Sequence, residues 1–230
     1  MKICAVNGSP RKNGNTAEVL RHALEGAMCV PEISTKMIHV SGINFSACTS
    51  CFECKRTGSK SYGKCAINDG LTPVIEELSH ADGIIFGSPV YFGNITGKMK
   101  SFLERLLFPY CTYETGYKTI APKKMNTAFI YTMNVDRQTM TDQNYPRQFK
   151  FMENFIGMVF RTPEVIHVNN TYQFDDYTLY NVECFSEIEK REHRKTQFPV
   201  DCQSAFELGK NMALSAFHAV SPRNAGERRH

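Results

Sequence analysis

The sequence predicts an open, doubly wound α/β/α sandwich, with five parallel strands in the order 2-1-3-4-5 and helices on both faces. Three observations predict it. Short apolar runs alternate with helix-period stretches along the 230 residues, the pattern of a parallel sheet built from crossovers. Residues 82–87 contain an unbroken Gly-Ile-Ile-Phe-Gly run, which suits a central strand covered on both faces. Polar, glycine-containing loops follow the first and third of these runs. Those strands are neighbours in that order, so the loops meet at one carboxyl edge of the sheet.

The elements follow in turn. Residues 3–6 form a first strand, and 17–28 read as a helix. Residues 32–40 alternate well enough for a second strand, with Ile33, Met37, Ile38 and Val40 as its apolar positions. Leu71, Val74, Ile75 and Leu78 give the i, i+3, i+4, i+7 stripe of an amphipathic helix, with Asp69 and Pro73 placed for its cap and first turn. After the third strand, residues 97–108 form a helix with Met99, Phe102, Leu103, Leu106 and Leu107 inward. Residues 123–132 give a fourth strand, 145–160 an aromatic helix, 163–168 a fifth strand and 201–220 a closing helix. The polar, basic tail 221–230 is expected to fray. There is no internal repeat and no domain boundary, so residues 1–230 are expected to form one domain. Two connections, 41–69 and 169–200, exceed the usual lengths, and long loops in compact domains tend to carry function or subunit contacts.

Composition narrows the classes. The apolar fraction, 42%, is that of a globular protein. The net charge of +4 is mild, and acidic residues are mixed with the basic ones throughout, which argues against a nucleic-acid surface. No apolar run reaches membrane-spanning length. The N-terminus enters a strand directly, so no signal peptide is expected, and a cytoplasmic location follows. Nine cysteines in that compartment read as thiols or metal ligands rather than as a disulfide framework.

The stretch from Asn7 through Gly8, Ser9, Pro10, Arg11, Lys12, Asn13, Gly14, Asn15 and Thr16 joins the first strand to the first helix. Backbone N–H groups and the positive end of the helix dipole favour an anion there. Ser9, Asn13, Asn15 and Thr16 add polar donors, and Arg11 adds a permanent charge. The triphosphate loop G-x-x-x-x-G-K-[ST] fails, because counting from Gly8 it wants glycine where Asn13 stands, and the residue before Thr16 is Asn15 rather than lysine. The dinucleotide fingerprint fails at Pro10, and the second strand ends without an acidic residue for a ribose. A lone terminal phosphate remains, and FMN is the commonest such ligand on a doubly wound sheet. The plainer alternative is a polar turn capping a helix. After the third strand come Ser88, Pro89, Val90, Tyr91, Phe92, Gly93 and Asn94. A flat, partly apolar ring would find an aromatic wall at Tyr91 or Phe92, and backbone brought close at Gly93. Here the alternative is a turn with its aromatics in the core. Thr132 and Asn134, after the fourth strand, reach the same edge as a third contact.

Gly8-Ser9-Pro10-Arg11 with Gly14-Asn15-Thr16, Cys48-x-x-Cys51-x-x-Cys54 with Cys65, the run from Ala81 through Gly87 to Asn94, and the stretch 100–105 together resemble the flavodoxin-like NAD(P)H-dependent FMN reductases, including their iron–sulfur flavoprotein branch. The resemblance covers about the first 110 residues. It implies a flavodoxin-like fold and non-covalent FMN. It also implies NAD(P)H as electron donor to a flavin oxidoreductase, a homodimer or homotetramer, and a flavin near the subunit interface. Carried over, Ser9, Arg11, Asn15 and Thr16 would hold the phosphate, and Pro89, Val90, Tyr91, Phe92, Gly93 and Asn94 would line the ring and ribityl chain. The acceptor would be free flavin, a quinone or ferric iron. A non-enzymatic carrier accepting electrons from ferredoxin is the alternative.

Cys48, Cys51 and Cys54 recur every third residue, and Cys65 follows. Such thiolates suit a [4Fe–4S] cluster or tetrahedral zinc, or they are packed or reactive thiols. The resemblance favours the cluster, although the iron–sulfur branch spaces its fourth cysteine more closely. Cys4, Cys29, Cys111, Cys184 and Cys202 read as isolated small apolar residues. The histidines show no metalloprotease spacing, and no serine nucleophile elbow is present. His193 lies in a charged stretch, 187–195, that reads as solvated surface, and Asp175-Asp176 as a loop tip.

Overall fold

The computed structural model describes residues 1–220; the expectation for the tail, 221–230, lies outside them. In chain order the elements are β1 (Lys2–Asn7), α1 (Asn15–Met28), β2 (Ser34–His39), α2 (Thr72–Ser79), β3 (Gly83–Tyr91), β4 (Asn94–Ile95) and α3 (Gly97–Leu107). They continue with β5 (Asn126–Thr132), α4 (Arg137–Asp142), α5 (Tyr145–Val159), β6 (Glu164–Val168), α6 (Glu187–Thr196) and α7 (Phe198–Val220). Five parallel strands run in the order β2-β1-β3-β5-β6, and β4 pairs antiparallel with the end of β3. With β4 set aside as a hairpin, this is the predicted 2-1-3-4-5 order.

Strand alternation divides the core into two layers. Ile3, Ala5, Ile85, Ala128, Ile130 and Val168 face α1 and α7. Cys4, Val6, Ile84, Phe86, Phe129 and Tyr131 face the other way, toward α3 and α5. The five expected core positions of α3 are all buried. Helices α1 and α7 cross closely because Gly209 meets the backbone of Ala23: a Cβ on Gly209 would lie 1.8 Å from the Ala23 carbonyl oxygen.

Three expectations change. β3 runs beyond Gly87, through Pro89 to Tyr91, because its far end is paired by β4. Asp69 does not cap α2. It accepts from Leu71 N at 3.0 Å and so turns the chain one residue ahead of the helix. The charged stretch after residue 186 is a helix whose Lys190 is only 1% exposed, so it is not simply solvated surface. His193 on the same helix is half-buried, and its Nδ1 has no partner. Of the cysteines expected to be packed singly, Cys4 and Cys202 are buried, whereas Cys29 and Cys184 are exposed.

Candidate active site at the carboxyl edge of the sheet

The turn after β1 is bonded to the body of β3 and to the residue that opens α3. Gly8 N donates to Gly87 O at 2.8 Å. Thr96, which caps α3 by accepting from Met99 N, donates its hydroxyl to Gly8 O at 2.9 Å. Ser88 Oγ accepts from Thr96 N and closes the arrangement. Within the first turn, Ser9 N donates to Asn7 Oδ1 and Arg11 N to Ser9 Oγ, which leaves the Ser9 hydroxyl proton available. Gly14 precedes α1 without a side-chain cap, so the N-cap residue supplies no side-chain acceptor for the first amides of that helix. Thr16 Oγ1 lies 2.7 Å from Thr132 Oγ1. One of the two hydroxyls donates to the other, and one proton remains to be given away.

The aromatic turn is a hairpin tip. Val90 pairs with Ile95 and Tyr91 with Asn94. Phe92 (φ 51°) and Gly93 (φ 74°) both adopt the left-handed conformation, as a two-residue hairpin turn requires. Asn94 Oδ1 accepts from Ile95 N. Tyr91 is half-exposed and Phe92 is fully in solvent. Among the described residues no side chain buries either ring, so the core-anchored alternative does not describe them. Gly93 lies against Tyr145 and Gln148 of α5.

The segment after β6 supplies what sequence reasoning left open. It folds back over the first turn: Arg11 Nη1 donates to Gln173 O at 2.7 Å and Asn15 Nδ2 to Tyr172 O at 2.8 Å. Arg194 of α6 donates to Asn15 Oδ1 and to Glu18 Oε2. Part of the donor set of Arg11 and Asn15 is thus engaged by the protein's own carbonyls. Beneath this arm lies a cleft of about 440 Å³ lined by Arg11, Asn13, Asn15, Asp175 and Arg194 among others. Asp175 therefore faces the cleft, while Asp176 caps a short turn by accepting from Thr178 N. Lys190 Nζ reaches Asn134 O at 2.8 Å and ties α6 to the turn after β5. Asn134 Oδ1 is buried and has no partner.

The four cysteines line one small cavity of about 20 Å³, together with Phe52, Arg105 and Phe108. Gly63 N donates to Cys54 O, so the 55–63 loop folds back and brings Cys65 round. Among the described residues, no group of three or more His, Cys, Asp or Glu side chains is placed to hold a metal ion. Zinc–sulfur bonds of about 2.3 Å would draw the sulfurs closely together. The donor set of four cysteines is that of an iron–sulfur cluster. Burial raises the Cys54 thiol pKa against the opposing pull of Lys55. The Lys55 ammonium donates to the carbonyls of Phe108, Pro109 and Cys111 and lies over the Phe108 ring. Arg105 is 1% exposed; it donates to Asp69, Ser46 O and Ile67 O, and its Nε has no partner. A buried cation with a spare donor beside four thiols fits an anionic centre.

Fold and edge together define a flavodoxin-like α/β protein, with a polar glycine-containing loop after β1 and an aromatic hairpin after the adjacent β3. Comparison with known proteins narrows this. The chain belongs to the NADPH-dependent FMN reductase family, whose family model matches residues 1–144. It is 37% identical over 105 residues to an iron–sulfur flavoprotein of Methanocaldococcus jannaschii, covering 46% of this chain and 51% of that protein. It is 34% identical over 146 residues to an iron–sulfur flavoprotein of Clostridioides difficile, covering 59% and 62%. The chain thus spans roughly half to three-fifths of the length of these relatives. Among solved structures it is similar to an NAD(P)H:quinone oxidoreductase from Methanothermobacter marburgensis (TM-score 0.67, 12% identity, 92% and 98% of the two chains). It is also similar to an FMN-dependent NADH-azoreductase from Bacillus anthracis in complex with FMN (TM-score 0.60, 14% identity, 96% and 100%). At these identities the structural likeness shows the fold alone. Among the described residues no helix is long and apolar enough to cross a membrane.

Proposed function

We propose that the chain binds FMN at the shared edge of the β1 and β3 turns and passes electrons from NAD(P)H to an acceptor such as free flavin, a quinone or ferric iron. The observation that carries this reading is the bonding of the loop after β1 to both ends of the β3–β4 hairpin, Gly8 to Gly87 and Thr96 to Gly8, which supports reading that loop as a phosphate cradle beside an aromatic hairpin. The α1 amides with Ser9, Thr16 and the remaining donors of Arg11, Asn13 and Asn15 hold the phosphate. Pro89, Val90, Tyr91, Phe92, Gly93 and Asn94 orient the ring and ribityl chain, with Thr132 and Asn134 below. Bound FMN supplies the redox chemistry, and the protein supplies position and electrostatics.

Cys48, Cys51, Cys54 and Cys65 are read as ligands of a [4Fe–4S] cluster. Their common cavity and the relatives named iron–sulfur flavoproteins support this. The same observations favour a second reading, a carrier that takes electrons from ferredoxin. The cavity lies near the far end of α3, roughly 13 Å along the helix from Thr96. Exposed Phe92, with exposed Phe151 and Phe155 on α5, supports a homodimer or homotetramer that covers these rings. Nine unpaired cysteines suit a cytoplasmic location.

The test is the ultraviolet–visible spectrum of anaerobically purified protein, followed by rates of reduction with NADH, NADPH and reduced ferredoxin. Flavin bands and brisk nicotinamide oxidation are expected. Protein that stays colourless with added FMN refutes the proposal, and fast reduction by ferredoxin alone transfers it to the carrier reading.

A further inference from the structure

Arg105 leaves α3 and enters the stem of the cysteine loop. Its Nη1 donates to Ser46 O at 3.1 Å and to Asp69, and its Nη2 to Ile67 O at 3.1 Å. Ser46 stands two residues before Cys48, and Ile67 two residues after Cys65. The guanidinium therefore clasps both ends of the segment that carries all four thiols. That accounts for its two terminal nitrogens. It does not account for Nε, which is buried and unpaired in a residue that lines the cysteine cavity. A guanidinium keeps its charge at any relevant pH, and a buried charge is tolerated when it is paired and its donors are used. Of the other cations of the region, Lys55 is committed to three main-chain carbonyls, and Arg56 and Lys64 are exposed and face Glu53 and Glu76.

We propose that Arg105 is the built-in countercharge of the four-cysteine centre, with Nε donating to sulfur on the Cys65 side, so that it raises the reduction potential of whatever cluster those cysteines hold. The inference rests on the cluster reading above. Arg105 is a positioning residue, and Asp69 is its counterweight. Hydrogen bonds to sulfur and local net charge are the levers by which a protein sets such potentials. A neutral residue at position 105 makes the centre harder to reduce. A neutral residue at position 69 leaves the cation less compensated and makes the centre easier to reduce. Both changes loosen the same clasp, so a purely structural role moves the two potentials the same way.

The experiment uses the full chain, loaded anaerobically with iron and sulfide. Iron and sulfide are assayed, and the potential is read by dithionite titration followed by electron paramagnetic resonance. Relative to wild type, Arg105→Gln is expected to lower the one-electron equilibrium constant at least about tenfold, about 59 mV for one electron. Arg105→Lys is expected to recover most of that loss, and Asp69→Asn to shift the potential in the opposite sense. Equal potentials in wild type and Arg105→Gln, or shifts of one sign in Arg105→Gln and Asp69→Asn, overturn the proposal and leave the cluster reading standing. Wild-type protein that binds no iron overturns both. If Arg105→Gln fails to fold, the comparison of Arg105→Lys with Asp69→Asn gives the sign.

Discussion

Replacing Lys190 by methionine isolates the energetics of the arm that closes over the site. Lys190 is 1% exposed, and its ammonium donates to Asn134 O at 2.8 Å and Asn170 Oδ1 at 2.9 Å. Burial pushes its pKa down to about 8, with Asp136 only partly opposing. In the unfolded chain a lysine titrates near 10.4. Between those values the unfolded chain keeps a proton that the folded chain has released, so this group adds stability as the pH rises through the window. The limiting slope is about 1.36 kcal/mol per pH unit, which integrates to about 1.5 kcal/mol between about pH 8 and pH 9.5. Cys4 and Cys202, both pushed up to about 11 by burial, act with the opposite sign, since thiols held neutral lose their stabilising contribution as pH climbs past about 9. They are common to both proteins and cancel in a difference. Urea unfolding of wild type and Lys190→Met across this range is therefore expected to show the wild type gaining about 1.5 kcal/mol on the variant. A flat difference refutes the assignment of a depressed pKa to this buried ammonium.

Two further outcomes are expected. Arg11→Ala should weaken FMN binding about tenfold while leaving riboflavin binding nearly unchanged, since a charge-assisted bond of about 1.5–3 kcal/mol is lost only with the phosphate; titration calorimetry with both ligands checks it, and equal losses would place Arg11 elsewhere. Gly209→Val should lower the melting temperature by roughly 10 °C, because its Cβ would lie 1.8 Å from Ala23 O and force α1 and α7 apart; an unchanged melting curve would contradict that close crossing.

Strand order, and with it the adjacency of the β1 and β3 ends, was legible because it depends on patterns confined to short windows: an apolar run, a glycine, a polar cluster. The inward face of α3 was legible for the same reason. Helix α6 escaped because it has no apolar stripe, and its buried contact is an ammonium on main-chain carbonyls. A local signal did exist. Ser186 with Glu189 has the capping-box spacing, and Ser186 Oγ accepts from Glu189 N. Glu187 with Arg191 adds an i, i+4 pair. The contacts of Arg11 and Asn15 were not legible at all. Their partners are carbonyl oxygens about 160 residues away, and a carbonyl leaves no trace in the identity of its residue. The shared cavity of the four cysteines was half-legible: the triplet spacing keeps three of them close along the chain, whereas the return of Cys65 depends on a main-chain bond, Gly63 to Cys54.

The grip on Arg11 and Asn15 comes from the main chain of Tyr172 and Gln173, which lie beyond the 144 residues matched by the family model. Any residue but one that bends the chain offers the same oxygen in the same place. Tyr172 is less free to change, since its hydroxyl bonds Glu187 and its ring packs on Tyr177, but Gln173, whose side chain makes no hydrogen bond among the described residues, is a place on the rim of this cleft where selectivity for what enters can be rewritten while the hold on the floor stays as it is.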